Sequence, residues 1–194
     1  MLIIVALSGL FCVASAGPMQ SFLGGIRAQC PPKPPTVSTL DAAAYLGKWY
    51  EQKRIPASFQ LNTRCVRAEY GLNDEGVITV HNTATKQDGS FDEIFGTATV
   101  PDPNHPGELK VHFPESPVDG DYWILDTDYE NYSIVYSCVD YIFGLIHFEF
   151  AWILARDTNM DPALIQKGVD LLESYGIDIS LLEDTVQTED CFYG

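Results

Sequence analysis

Ala151-Trp152-Ile153-Leu154-Ala155-Arg156-Asp157 is an apolar run closed by an arginine, with a helix-like pattern just beyond it. Two other short motifs precede it in order: Gly47-Lys48-Trp49-Tyr50-Glu51 and Thr127-Asp128-Tyr129. Trp49 alone reads as core and Arg156 alone as surface. Together, on a strand-rich chain, they read as a plug. A closed barrel needs one end stopped, and a guanidinium stacked on an indole face does this by cation–π attraction and hydrogen bonding.

Outward from these motifs the chain reads as short strands separated by turn residues. The expected strands are residues 48–55, 64–72, 77–85, 91–100, 108–113, 121–126, 132–139 and 148–156. Asn73-Asp74-Glu75-Gly76 and Gln87-Asp88-Gly89 mark hairpins, and the Pro-rich stretch 101–107 breaks the chain. The period then changes. Asp161 is a cap, Pro162 a first helical residue, and Gly176 a stop. Leu164, Gly168, Leu171, Leu172 and Tyr175 share one face of that helix. The expected fold is all-β: an eight-stranded antiparallel up-and-down barrel with one C-terminal α-helix packed outside. Eight strands give an interior able to hold one small ligand.

Residues 1–16 read as a signal peptide. They carry no charge and end in Ala14-Ser15-Ala16, a small-x-small cleavage pattern. Residues 17–194 then form a single domain. Removal of Cys12 leaves Cys30, Cys65, Cys138 and Cys191, an even set that reads as two disulfides in a secreted chain, with three connectivities open. A metal site is the rival reading, but there is no C-x-x-C and the four histidines are scattered. Neither metal nor cofactor is expected. The formal net charge of −16 disfavours nucleic acid and anionic lipid headgroups as partners.

The three motifs resemble the conserved regions of the lipocalins. The likeness extends to Leu46-Gly47-Lys48-Trp49-Tyr50-Glu51, Tyr122-Trp123-Ile124-Leu125, Thr127 to Tyr132, Val135-Tyr136-Ser137-Cys138 and Phe150 to Arg156. It is similar to the apolipoprotein D branch, near insect bilin-binding proteins and crustacean carotenoid carriers. That resemblance implies disulfides Cys30–Cys138 and Cys65–Cys191. It also implies a carrier of fatty acids, sterols or related lipids, with a bilin or carotenoid as the alternative.

Strand parity assigns a lining. The inward set is Val66 and Tyr70; Val80 and Asn82; Ile94; Leu109, Val111 and Phe113; Tyr122 and Ile124; Val135; and Phe148, Phe150 and Trp152. Tyr70, Tyr122, Asn82 and the Trp152 N–H are the polar groups expected to orient a ligand, while Gly96 and Ala98 leave space. Arg67, Glu69 and Glu149 fall outward. Glu51 shares parity with Trp49 and is expected to be buried near the closed end, in a structural role. The alternative is a solid core with no cup.

Three further expectations concern the surface and the chemistry. Tyr141, Ile142, Phe143, Leu145 and Ile146 form an apolar lip at the open end, suited to lipoprotein or membrane surfaces, or a strand extension packed into the mouth. Asn131-Tyr132-Ser133 is a glycosylation sequon. No catalytic residue is expected; an isomerase of this family type needs a free thiolate, for which Cys65 is the candidate.

Overall fold

The computed structural model describes residues 29–141 and 146–194. The expected signal peptide lies outside them, as do Ile142, Phe143 and Leu145 of the expected lip. Its element order is α1 (Ala42–Tyr45), β1 (Gly47–Arg54), β2 (Arg64–Leu72), β3 (Ile78–Thr85), β4 (Phe91–Thr99), β5 (Glu108–His112), β6 (Gly120–Thr127), β7 (Tyr132–Tyr141), β8 (Ile146–Ala155), α2 (Pro162–Ser174) and β9 (Glu183–Asp184). Sequential antiparallel pairing runs from β2 to β8, and β1 pairs with both β8 and β2, so the sheet closes. This is the eight-stranded up-and-down barrel that the alternation predicts. Closure removes the sheet edges that would otherwise invite pairing with other chains.

Two apolar clusters define the layers. Inside the barrel lie Tyr45, Trp49, Tyr70, Val80, Leu109, Ile124, Val135 and Leu154, all buried. Outside, Ile134, Tyr136, Ala151 and Ile153 of β7 and β8 pack with Leu172. The helix begins where its cap predicts, with Ala163 N–H donating to the Asp161 carboxylate at 2.8 Å. Gly168 is its closest approach to the barrel. A Cβ there would lie 2.6 Å from Ile134 Cδ1 and 2.9 Å from Ile153 Cδ1.

The wall has one feature without a sequence signal. β1 and β2 pair only from Gly47–Tyr70 to Tyr50–Arg67 and then part. The C-terminal segment enters the gap. β9 pairs with Lys53 and Arg54, Thr185 N–H donates to Gln52 O, and Cys65 N–H donates to Val186 O. The Gln187 side-chain amide donates to Glu51 O and Val66 O at 2.9 and 2.8 Å. Cys65 bonds Cys191 and Cys30 bonds Cys138, the pairing the resemblance implies.

β7 runs on to Tyr141 and β8 begins at Ile146, further than the expected strands, so strand backbone takes up both ends of the stretch read as a lip. Among the described residues, no helix is long and apolar enough to cross a membrane, and no group of three or more His, Cys, Asp or Glu is placed to hold a metal.

Candidate functional site: the barrel interior

The closed end is built around Arg156. Its guanidinium lies 3.7 Å from the Trp49 ring centroid. It donates to three carbonyls: Tyr129 O at 2.9 Å, Lys48 O at 2.9 Å and Ala44 O at 2.7 Å. Gly47 is required here, because its φ is +91° and a Cβ would sit 3.4 Å from Arg156 Nη1. The Thr127-Asp128-Tyr129 turn presents the Tyr129 carbonyl. Asp128 accepts from the N–H groups of Glu130, Asn131 and Tyr132. Slight burial works against its charge, but the bonds from Asn131, Tyr132 and Glu130 hold its carboxyl below the usual range. The three motifs thus meet at one guanidinium.

Above the plug lies a cluster of buried tyrosines and aliphatic side chains. Tyr45, supplied by α1, was not singled out by strand parity, yet its ring enters the interior. Its hydroxyl lies 2.9 Å from Tyr122 Oη and 2.8 Å from Ser133 Oγ, and Tyr70 donates to Tyr122 at 2.8 Å. Burial pushes the Tyr45 hydroxyl up to about 12 and raises Tyr70 and Tyr122 as well. Tyr70 and Tyr122, expected among the polar groups that orient a ligand, bond one another in the structure. A small space of about 10 Å³ remains at the closed end, between Leu40, Ala42 and Leu46 of the lead-in and α1 region and the interior side chains Tyr45, Tyr70 and Leu109. Val66, Val80, Val111, Ile124 and Val135 are buried on the inward face.

Towards the open end burial fades. Asn82, Ile94, Phe113, Phe150 and Trp152 are only partly buried, and Phe148 is 49% exposed. These inward-facing residues lie between the tyrosine cluster and the open end. The Asn82 side-chain oxygen is buried and has no hydrogen-bond partner. Two expectations change here. The Trp152 N–H is engaged, donating to Gln60 Oε1 at 3.1 Å. Gly96 leaves no space: a Cβ would stand 2.4 Å from His112 O and 2.7 Å from the Phe113 ring. The room of the missing side chain is occupied by the neighbouring strand.

The outward set also differs in part. Arg67 faces out but is buried, 5.5 Å from the Tyr193 ring of the C-terminal segment. Glu149, expected in water, is covered and accepts from Tyr136 Oη at 3.1 Å, with His147 Nε2 2.9 Å away. Glu51 is buried as expected, but not at the closed end. It lies against Arg54, Gln60 and Thr185, where β1 leaves β2.

The mouth is bordered by the β1–β2 connection, which sequence reading left unassigned. Phe59 and Leu61 are 68% and 58% exposed. Phe59 lies 5.8 Å from Phe150, whose ring stacks on Trp152. A groove of about 460 Å³ runs between this connection and the β3–β4 hairpin, lined by Phe59, Leu61, Lys86 and Asp92 among others.

Residues 40–187 match the family model of the lipocalin-like domain. The chain is a lipocalin. Apolipoprotein D of Mus musculus is 39% identical to it over 187 residues, covering 96% of this chain and 94% of the relative. Insecticyanin from the tobacco hornworm Manduca sexta superposes with a TM-score of 0.74 at 25% identity, over 87% of this chain and 93% of the other. Lobster apocrustacyanin A1 gives 0.68 at 30% identity, over 78% and 82%. In this lipocalin the three motifs gather at the plug, and the inward-facing aromatic side chains at the other end are the ones left partly exposed.

Proposed function

We propose that this lipocalin is a secreted carrier that holds one small hydrophobic molecule in the upper half of its barrel. The carrying observation is the burial gradient: inward-facing apolar side chains lose their cover towards the open end. Apolar walls with sparse polar groups are the usual make-up of a ligand site. Burial of apolar area, at roughly 25 cal/mol per Å², supplies the affinity. The proposed lining is Asn82, Ile94, Phe113, Phe148, Phe150 and Trp152, with Val66, Tyr70, Val80, Leu109, Val111, Tyr122, Ile124 and Val135 forming the wall and floor beneath. The unpartnered Asn82 oxygen favours a ligand with a hydrogen-bond donor at its inner end, because an unmatched buried acceptor is costly. A sterol or hydroxylated lipid fits that chemistry. The stacked Phe150 and Trp152 faces support a second reading, a conjugated bilin or carotenoid.

Secretion rests on the leader-like residues 1–16 and the two disulfides. Asn131, exposed beside a turn, is the proposed glycosylation site. Docking on lipoprotein or membrane surfaces through residues 141–146 is supported by Phe59, Leu61 and Phe148, exposed apolar groups at the same end. The isomerase reading loses its nucleophile, since Cys65 is bonded to Cys191. The test is organic extraction of protein secreted by a eukaryotic host, with mass spectrometry of the extract. One lipid or pigment class present near one equivalent supports the carrier. An extract no richer than that of a Trp152→Ala variant contradicts it.

A further inference from the structure

The sequon Asn131-Tyr132-Ser133 follows the turn that serves the plug, and its two ends meet different surroundings. Asn131 is exposed, and its backbone N–H and side-chain amide both donate to the Asp128 carboxylate at 2.7 Å. Its carbonyl accepts from Arg156 N–H at 3.1 Å. Ser133, two residues on, is fully buried on the inward face of β7. Its hydroxyl lies 2.8 Å from Tyr45 Oη, inside the barrel. Tyr132 between them pairs with Ala155 of β8, and Ser133 pairs with Leu154 of β8 and Thr127 of β6. An acceptor sequon is read at both ends, at the asparagine amide and at the hydroxyl two residues on. In the folded chain only the first end is presented. Reaching the second requires β7 to part from both of its neighbours.

We propose that Asn131 receives its sugar only before β7 is zipped into the barrel, so that the modified share records a race between the glycosylating enzyme and closure of the plug. The inference rests on the secretion reading, because the enzyme and its lipid-linked oligosaccharide donor belong to the secretory pathway. In the transfer the anomeric carbon–oxygen bond to the donor's pyrophosphate breaks. A carbon–nitrogen bond forms at Asn131 Nδ2, and one amide proton leaves. The other proton keeps the bond to Asp128 Oδ2, and the exposure of Asn131 leaves room for the sugar at the closed end. The folded barrel thus tolerates the product although it does not admit the reaction. The race is open because some partners of the sequon come late. Tyr45 and Thr127 precede it, but Leu154, Ala155 and Arg156 follow it. At roughly 5–20 residues per second, Arg156 is added about 1–5 s after Asn131. β7 also carries Cys138, whose bond to Cys30 ties the strand to the lead-in segment. Withholding the disulfides therefore delays closure and lengthens the window.

The experiment expresses the wild-type chain in a eukaryotic secretory host, with and without membrane-permeant dithiothreitol during synthesis. The modified share is read from the gel shift that an amidase specific for N-linked sugars removes. A control chain carries Asp88→Asn on an Asn131→Gln background. It turns residues 88–90 into an acceptor sequon on the β3–β4 hairpin, where both of its ends are exposed. The control should be modified to the same high share in both conditions. The wild type should show a minor modified share that rises roughly twofold or more with the reductant, because disulfide formation takes seconds or longer. Purified unmodified protein, folded and oxidised, should refuse sugar from a single-subunit oligosaccharyltransferase and its lipid-linked donor. It should accept the sugar once its disulfides are reduced and the thiols alkylated. Transfer to the folded protein overturns the proposal. So does a wild-type share that the reductant leaves unchanged while the control is modified. Wild type and control both unmodified overturn it together with the secretion reading.

Discussion

At the scale of single residues, Arg156 and the interior tyrosines carry the clearest energetic claims. Arg156→Ala leaves the Ala44, Lys48 and Tyr129 carbonyls without their donor and uncovers the Trp49 face. It should lower unfolding free energy by about 2–4 kcal/mol, measured by denaturant titration. Arg156→Lys should recover little, because a point ammonium cannot reproduce a planar fork over an indole. The tyrosines predict an alkaline limit. Tyr45 has a folded value of about 12 against an ordinary 10. Its stabilising contribution is therefore complete below about pH 10 and is lost as pH rises through about 12. Melting temperature should fall across that range, and Tyr45→Phe should flatten the fall even if it starts lower. An equally steep decline in the variant would count against the buried network.

At the scale of elements, the barrel depends on two close approaches. Gly96 lets β4 cross His112 and Phe113 without a gap. Gly96→Ala should cost about 1–3 kcal/mol, since the clash is with a backbone carbonyl that has no rotamer to change. Gly168→Ala is a softer case, because it meets the tips of Ile134 and Ile153 and gains helix propensity. Its melting temperature should drop less than that of Gly96→Ala. Strands of this kind were legible because alternation is a local signal: 64–72 and 91–100 could be placed from their own residues. Depth along the barrel was not legible. Parity gives the face of Tyr70 and of Phe150 equally, but not that one is buried at the closed end and the other partly exposed towards the open end. The tail strand was also invisible. Glu183-Asp184 has no pattern of its own and pairs only because β1 and β2 part more than a hundred residues earlier in the chain. Gln60 belongs to the same class, since its partners Glu51 and Trp152 come from two different strands.

At the scale of the molecule, the chain is a stoppered tube. The motif end spends its residues on closure, with Trp49, Arg156 and the Tyr45–Tyr122–Tyr70 network. The other end leaves inward-facing apolar surface incompletely covered. Both disulfides join distant parts, over separations of 108 and 126 residues, and so fix the lead-in and tail segments against the wall. That division of labour is the reason a ligand is expected in one half only. The direct test is titration of the purified protein with a sterol, a fatty acid, biliverdin and a carotenoid, following tryptophan fluorescence, with Trp152→Ala alongside. The account predicts saturable one-to-one quenching by one class, weakened at least tenfold in the variant, on the scale of the apolar contact removed. Quenching by none, or identical titrations for both proteins, would contradict the cup.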